Sequence, residues 1–291
     1  MVQTGEQCPA CKRALRTGVR EWHRVCDGCT YEGSTLSVHI DTQGVAEVVD
    51  EARREEGLGH LRQQNFQVLA ADLIARKPAG ANGRPTMLDV GCAHGWFMEA
   101  VQGHFLATGI EPDARIAALA AAKGLSVRGG FFPEELEAHE RFDVIVFNDV
   151  LEHIPDIDAA LRACVRHLRP DGIVVVNAPA RTGVLYQTSR WLARLGLPAS
   201  FDRMWQQGFP SPHVHYLDDA SMAAIGGNAG LRISAVRTLP SMTARGLYAR
   251  IRTDRTVSAS KALALSMLLT AACPVVSVMP ADIKVWLLQA A

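Results

Sequence analysis

The stretch LDVGCAHGWF, from Leu88 to Phe97, joins a short apolar run to a helical pattern through a turn of small residues. The acid Asp89 comes just before the turn, and Gly91 and Gly95 lie within it. Small residues at the carboxyl end of a strand allow backbone N–H groups to approach a ligand, and doubly wound sheets bind nucleotide-like molecules at such ends. The stretch therefore predicts a strand that leads into a helix through a ligand-binding glycine turn.

Outward from this turn, the chain alternates Val-, Ile- and Leu-rich runs with helical patterns. The strand candidates are TMLDVG, FLATGIE, LSVR, FDVIVFN and GIVVVNA, and the helical segments between them include PDARIAALAAAKG and DIDAALRACVRHLRPDG. A further helix is predicted from Leu61 to Arg76, ahead of the first of these strands. Apolar runs that alternate with helices are typical of a parallel sheet covered by helices on both sides. The sequence therefore predicts a doubly wound α/β fold.

The spacing of the turn separates two classes of nucleotide-binding protein. A dinucleotide fingerprint requires glycine at the third and sixth positions counted from Gly91, where this chain has Ala93 and Trp96. A tryptophan is too large for a position where the helix has to touch the sheet. The pattern instead resembles motif I of the class I S-adenosylmethionine (SAM) methyltransferases, with Ala93 in place of the usual middle glycine. This resemblance implies that the cofactor lies against Asp89, Gly91, Cys92, Ala93 and Gly95.

Two later motifs extend the resemblance. Glu111 ends the next strand, 20 residues after the first glycine of the turn, and an acid there can accept both hydroxyls of a ribose. FNDVLEHIPD, residues 147–156, looks like the vLEHi segment of small-molecule methyltransferases, which implies that Asn148 and Asp149 face the methionyl part of SAM. Asp156 is predicted to cap the following helix. The family implies a seven-stranded, mostly parallel sheet with an antiparallel strand in a pair at its edge.

Three histidines are candidates for acid–base chemistry. His213 and His215, in SPHVHYLDDASM, are separated by one residue and would point to the same side of an extended segment. That segment resembles the stretch near the acceptor site of the methyltransferases, and a neutral imidazole can remove a hydroxyl proton during methyl transfer. Substrate binding or metal binding by this pair stays open, although no third ligand stands at a telling spacing. His153 is the third candidate, with support of its loop as the alternative.

Four cysteines near the N-terminus carry the most specific metal signal. Cys8, Cys11, Cys26 and Cys29 follow the spacing CxxC–x14–CxxC, which delivers four thiolates to one tetrahedral ion. Residues 1–34 have little apolar periodicity, so zinc would supply folding energy that burial alone does not provide. Because four protein ligands leave no open position on the ion, the prediction is a structural zinc ribbon.

The predicted organisation has three parts: a zinc ribbon at 1–34, a connector at 35–60 and the methyltransferase domain at 61–291.

Lys and Arg together total 30, as do Asp and Glu, so the formal net charge is zero and no chain-wide field attracts nucleic acid. The start of the sequence has no basic-then-apolar signal pattern. We therefore expect a cytoplasmic protein.

An insertion at about 241–281 is the least familiar part of the sequence. It begins with an arginine-rich stretch and continues with twenty uncharged residues, Ala262 to Ala281. Pro274 interrupts that run, so a transmembrane helix is not expected. Peripheral contact with the inner membrane surface is one interpretation. A helix folded onto the core and a homodimer contact are the others.

The motifs together predict a SAM-dependent methyltransferase that acts on a hydroxyl of a small or lipid-linked acceptor, such as an envelope glycan intermediate or an isoprenoid. A zinc module ahead of a class I domain also resembles some rRNA methyltransferases. Residues 1–34, however, carry five basic and four acidic residues, a weak footprint for phosphate, and nucleic acid is not the favoured partner. A catalytically silent interaction module is the third hypothesis, and it would leave the cofactor motifs idle.

Overall fold

The computed structural model describes residues 7–39, 51–76, 83–243, 246–252, 257–276 and 278–291. Residues 40–50 of the predicted connector, and 244–245, 253–256 and 277 of the predicted insertion, lie outside the described residues. The strands that the structure describes are β1 Leu15–Thr17, β2 His23–Cys26, β3 Glu32–Ser34, β4 Thr86–Val90, β5 Leu106–Glu111, β6 Ser126–Gly129, β7 Phe142–Asn148, β8 Leu168–Pro179, β9 His215–Tyr216, β10 Leu231–Leu239 and β11 Ile283–Ala290.

Helices connect most of these strands. They are α1 Glu51–Ala75, α2 Trp96–Val101, α3 Ala114–Ala122, α4 Ile157–His167, α5 Val184–Arg194, α6 Ala199–Met204, α7 Asp219–Ala229, α8 Leu247–Arg252 and α9 Ala259–Val276, and a short 3₁₀ turn covers Leu151–His153.

The main sheet has seven strands in the order β10-β11-β8-β7-β4-β5-β6. Strands β4 to β8 pair in parallel, whereas β11 runs antiparallel to both β8 and β10. The predicted doubly wound, mostly parallel sheet with an antiparallel pair at one edge is therefore confirmed. Strands β5 and β6 lie on one side of β4, and β7 and β8 lie on the other. The strand order therefore reverses at β4, and such folds bind ligands at the carboxyl end of the strand where it reverses.

The core lies on both faces of this sheet because neighbouring residues of a strand point to opposite sides. On β7, Ile145 and Phe147 belong to one buried cluster, while Val144 and Val146 belong to the other. These four side chains are almost fully buried. Burial on both faces explains why the strand is a continuous apolar run in the sequence.

Helix ends follow from local sequence. The Asp156 side chain accepts a hydrogen bond from the Ala159 N–H, which confirms the predicted cap of α4. Asp218 and Ser221 form a reciprocal capping box at the start of α7, and Gly230 ends that helix with a left-handed φ of 87°. Such caps satisfy backbone groups that the helix leaves unbonded.

Two helices differ from the sequence prediction. Helix α1 begins at Glu51 rather than Leu61, inside the predicted connector; the extra residues are rich in Glu and Arg, which favour helix without apolar periodicity. Helix α9 continues past Pro274 to Val276. Pro274 lies in its last turn, and the helix ends two residues after it. Among the described residues, none of the helices combines the length and hydropathy needed to cross a bilayer.

The N-terminal strands join the rest of the chain through a second sheet. This sheet has the order β1-β2-β3-β9, and its fourth strand comes from residues 215–216. Cys8, Ala10, Cys26 and Tyr31 are part of the buried cluster that contains Leu88, Ile145 and Phe147 of the main sheet. The cysteine-bearing segment therefore shares a hydrophobic core with the main sheet.

Candidate functional site

The turn after β4 is built from residues in left-handed backbone conformations. Gly91, Ala93 and Gly95 have φ values of 67°, 45° and 76°. A Cβ atom on Gly91 would lie 2.6 Å from the Val150 side chain, and one on Gly95 would lie 2.2 Å from Leu125. Both glycines are therefore required by conformation and by space. The turn lies at the carboxyl end of β4, and the N–H groups of Gly91 and Gly95 donate to backbone carbonyls of Ile110 and Cys92.

Cys92 takes part in this turn through its backbone. Its N–H donates to the Ile110 carbonyl at 3.1 Å. Its thiol is buried against Gly109, where an added Cβ would lie 2.5 Å from the sulfur. Burial raises the pKa of this thiol, so the sulfur acts as a small core group within the turn.

Two buried carboxyl groups lie beside the turn. Glu111 accepts hydrogen bonds from the N–H groups of Ala93 and Asp113, each at 2.9 Å, and burial raises its pKa. Asp89 Oδ1 is buried and makes no hydrogen bond to the described residues. Burial, followed by the charge of Glu111, raises the pKa of Asp89 to about 8. Acceptors held in this way suit a ligand rich in hydroxyl and amino donors, and together with the glycine turn they fit SAM.

The other side of the candidate cofactor site is formed by the end of β7 and by α1. Asn148 ends β7, and Asp149 follows in a left-handed conformation with φ 54°. The Arg62 guanidinium of α1 lies 3.6 Å from the Asp149 carboxylate. Arg62 was missed by the sequence analysis because its helix was interpreted only by its apolar positions. Arg62 therefore brings a positive charge to this side of the candidate cofactor site, and a guanidinium can bind a carboxylate.

The turn after β7 buries a carboxyl group that the sequence analysis also missed. Glu152 is 1% exposed, and neither of its oxygens has a hydrogen-bond partner among the described residues. Burial, followed by the charge of Asp149, raises the pKa of Glu152 well above its usual value. A raised pKa favours the protonated form of this carboxyl group.

His153 and His213 come together next to Glu152. The His153 Nδ1–H donates to the Pro212 carbonyl at 2.9 Å, and its Nε2 lies 4.0 Å from Glu152 Oε1. The ring centroids of the two histidines are 4.8 Å apart, and the Gln206 amide lies 2.8 Å from His213 Nε2. Ligand atoms of Glu152, His153 and His213 lie within 4.8 Å of one another, a spacing that a cation could bridge. The three titratable side chains of this cluster thus lie side by side, next to the turn that follows β7.

His215 has different surroundings. Its Nε2 lies 2.9 Å from the Ile154 carbonyl, and its Nδ1 lies 2.5 Å from the Tyr31 hydroxyl. Burial lowers the pKa of His215 to about 4. Both ring nitrogens are engaged, so in this arrangement His215 has no lone pair for a substrate proton, in contrast to the role expected from its spacing to His213.

The four N-terminal cysteines converge on one point. Sγ of Cys8 lies 3.4 Å from that of Cys29, Cys11 Sγ lies 3.3 Å from Cys26 Sγ, and all four lie within 4.8 Å of one another. The Arg13 backbone N–H lowers the pKa of Cys11 to about 7, whereas burial raises the pKa values of Cys8 and Cys29 in the absence of an ion. Thiolates at these separations fit a tetrahedral zinc ion with bonds of about 2.3 Å.

Comparison with known proteins agrees with the site. A family model described as a methyltransferase domain matches residues 58–236. The ubiquinone biosynthesis O-methyltransferase of Bradyrhizobium sp. (strain ORS 278) is 33% identical over 125 residues, which cover 37% of this chain and 48% of the relative. The enzyme of the same name from Bordetella avium (strain 197N) is 30% identical over 185 residues, which cover 61% of this chain and 70% of the relative.

A solved structure shares the fold. The cyclopropane synthase MmaA2 from Mycobacterium tuberculosis superposes with a TM-score of 0.53 at 19% identity, over 76% of this chain and 83% of that protein. The chain spans about half the length of the first curated relatives that it matches. From the family match, the sheet order and the glycine turn, the chain belongs to the methyltransferase domain family, within the class I SAM-dependent methyltransferases.

Proposed function

We propose that the protein transfers the methyl group of SAM to a hydroxyl of a small or lipid-linked acceptor. The observation that carries this proposal is the position of the Glu152, His153 and His213 cluster directly after β7, whose carboxyl end lies beside the glycine turn of β4. The related chains are named O-methyltransferases, which supports oxygen as the methylated atom. Ubiquinone biosynthesis in their names supports an acceptor of mixed polar and apolar character.

The cofactor would be held by groups on both sides of the turn. Glu111 accepts the ribose hydroxyls once its present bonds to two backbone N–H groups rearrange, and Arg62 receives the carboxylate of the methionyl part. Asp89 and the glycine turn complete the contacts, with Asn148 and Asp149 on the methionyl side. Bound SAM supplies a methyl group on a positively charged sulfur, with a neutral thioether as the leaving group.

His153 is the proposed base. Because its Nδ1–H donates to the Pro212 carbonyl, the lone pair of the neutral ring is on Nε2, where it can take the proton of the acceptor hydroxyl as the oxygen–carbon bond forms. His213 packs against this ring and helps to set its orientation. Protonated Glu152 would add a donor to the same centre. His215 moves from the base predicted by the sequence to a supporting role.

Lipid-linked acceptors are favoured by an apolar surface on α9 and the residues after it. Leu263, Met267 and Leu268 are more than half exposed, and Val278 is 84% exposed. Several large apolar side chains exposed along one short stretch of chain are typical of a contact surface. We propose peripheral membrane contact through this surface, with a homodimer contact as the competing use, and a structural zinc ion in the cysteine cluster.

The cofactor assignment is tested by calorimetry with SAM. Glu111→Ala removes the ribose acceptor, and we expect a loss of affinity of about 10- to 100-fold, because hydrogen bonds to a charged group contribute about 1.5–3 kcal/mol. Glu134→Ala, at an exposed position, is the matched control and should bind SAM as the wild type does. Equal affinities for the wild type and Glu111→Ala would contradict the ribose assignment.

The base is tested by methyl transfer from radiolabelled SAM to a panel of catechols and polyprenylated phenols. His153→Ala should lower kcat by about 10²–10⁴-fold, the usual contribution of a positioned base, without changing the affinity for SAM. His213→Ala should have a smaller effect, and exposed His104→Ala none. Near-normal turnover by His153→Ala would show that alignment alone, rather than base catalysis, drives the reaction.

A further inference from the structure

The segment PHVHY (residues 212–216) lies between the N-terminal strands and the proposed base. On the N-terminal side, the Ser34 N–H donates to the Val214 carbonyl at 3.0 Å, and the Ser34 hydroxyl donates to the His213 carbonyl at 2.9 Å. Residues 215–216 pair with β3 as its antiparallel neighbour. The PHVHY segment is therefore an added strand of the cysteine-bearing sheet.

On its other side, the PHVHY segment holds the LEHI turn (residues 151–154). The Val214 N–H donates to the Glu152 carbonyl at 2.8 Å. The His153 ring donates to the Pro212 carbonyl, and His215 Nε2 lies 2.9 Å from the Ile154 carbonyl. Three hydrogen bonds thus fix the turn that carries the proposed base, and all three come from a segment that the N-terminal sheet holds.

The imidazole of His215 connects the two sides. A carbonyl can only accept, so the contact with Ile154 places the ring proton on Nε2. The lone pair is then on Nδ1, and the Tyr31 hydroxyl donates to it at 2.5 Å. The carbonyl therefore sets the tautomer of the neutral ring, and the hydroxyl holds its second nitrogen. Without this donor, the buried ring loses one of the two hydrogen bonds that hold it, and the bond to the LEHI turn weakens.

Tyr31 is held in turn by the cysteine cluster. It follows Cys29 by two residues, and its carbonyl accepts from the Cys26 N–H at 3.2 Å. Its side chain is 3% exposed and lies in the shared core. A metal ion on the four cysteines would fix both segments that place this tyrosine.

We propose that Tyr31 is a positioning residue for the methyl-transfer site: through His215 it sets the LEHI turn, so the zinc ribbon forms part of the wall behind the proposed base. The assignment of that base rests on the proposed function, but the coupling between Tyr31 and the turn does not. The ribbon then does more than stabilise the fold. Its Tyr31 is linked to His153 by the hydrogen bond to His215, the hydrogen bond from His215 to the Ile154 carbonyl, and the backbone between Ile154 and His153.

The test uses the full chain labelled with ¹⁵N in its histidines, with S-adenosylhomocysteine as the bound probe. Tyr31→Phe removes only the hydroxyl. We expect the Nδ1 resonance of His215 to move towards that of an unbonded ring nitrogen and the His153 resonances to shift with it, while the metal content stays unchanged. Tyr186→Phe is the matched control, because its hydroxyl is also buried at the ribbon contact but donates to Glu32 at 2.5 Å instead. It should leave both histidines as in the wild type.

A second variant guards against a folding defect. Ser34→Ala removes one hydroxyl bond to the PHVHY segment while Tyr31 stays in place, and it should shift the His153 resonances without changing the His215 tautomer. Unchanged His153 resonances in both Tyr31→Phe and Ser34→Ala would overturn the proposal. Because no acceptor is used, failure of the proposed methyl transfer would leave this result standing, and the reverse also holds.

Discussion

His213 and His215 are near neighbours in sequence, yet the fold separates their chemistry. His213 packs against His153 and lies next to a glutamine amide. His215 is closed in by a tyrosine hydroxyl and a backbone carbonyl. The difference arises from the partners of each ring, which come from Tyr31 and from the turn after β7. A pattern of two histidines predicts a direction for the side chains but does not distinguish their partners.

The burial of His215 predicts a pH-dependent stability. Its pKa of about 4 in the folded chain lies below the value of about 6.5 expected when unfolded, so the unfolded chain binds the proton first as the pH falls. The favourable contribution of the neutral ring is complete above pH 6.5 and is lost towards pH 4. Since one pKa unit corresponds to about 1.4 kcal/mol, the loss is about 3 kcal/mol.

Urea unfolding of the wild type and His215→Gln between pH 4 and 7 measures this contribution. The buried acids Asp89 and Glu152 have raised pKa values and act in the opposite direction, so the difference between the two proteins is the relevant quantity. The destabilisation caused by His215→Gln should shrink as the pH falls through this window. The exposed-site variant His104→Gln should follow the wild-type curve; a His215→Gln curve parallel to the wild type would refute the linkage.

The glycine turn shows how one short element combines conformation and packing. Its residues take left-handed backbone angles, and the side chain of Val150, directly before the LEHI turn, closes against Gly91. The two candidate binding elements, after β4 and after β7, are thus in contact. A change in the first therefore reaches the second by direct packing.

Gly91→Ala should be destabilising. Its left-handed φ and the 2.6 Å approach to Val150 both oppose a Cβ atom, and we expect a loss of about 1–3 kcal/mol in the free energy of unfolding together with weaker SAM binding. Gly227→Ala is the matched control at an exposed position of helix α7, where an added Cβ meets nothing within 4 Å. It should stabilise the protein by about 0.5–1 kcal/mol. Equal effects of the two variants in thermal unfolding would disprove this account.

Considered as one folded unit, the chain joins its ribbon to the catalytic sheet by charge as well as by apolar packing. Glu32 of β3 is 3% exposed and contacts Arg181 at 3.1 Å, Arg190 at 2.7 Å and Tyr186 at 2.5 Å. Burial by itself would raise the pKa of Glu32, but hydrogen bonds from His23 and Tyr186 keep that pKa below its usual value. A buried carboxylate with this many donors holds the two parts in one arrangement.

Loss of the metal should therefore destabilise more than the ribbon. We expect about one zinc per chain in the wild type, and Cys8→Ser should lower both the zinc content and the unfolding temperature of the main transition, because Cys8 belongs to the shared core. Cys273→Ser, in α9 and outside the cluster, should keep both. A separate early transition for the ribbon, with an unchanged main transition, would show instead that the two parts unfold independently.

Local sequence was enough for the elements whose signals are short-range. The strand–turn–helix of Leu88 to Phe97, the alternation of strands and helices, the cap at Asp156 and the convergence of four cysteines all follow from spacing, because backbone geometry and apolar periodicity act over a few residues. The mostly parallel, seven-stranded sheet and the family followed from the resemblance that the same motifs carry. The sequence analysis did not predict the extra length of α1, because charged residues that favour helix produce no apolar stripe.

Tertiary structure alone decided which distant groups meet. Arg62 reaches Asp149, Tyr31 reaches His215, and residues 215–216 complete a sheet begun near the N-terminus. Partners so far apart in sequence are brought together by burial of a common core, and their spacing in the chain does not predict that contact. The same physics buried Glu152 and changed the role expected for His215, since desolvation depends on what surrounds a side chain and not on its neighbours in sequence.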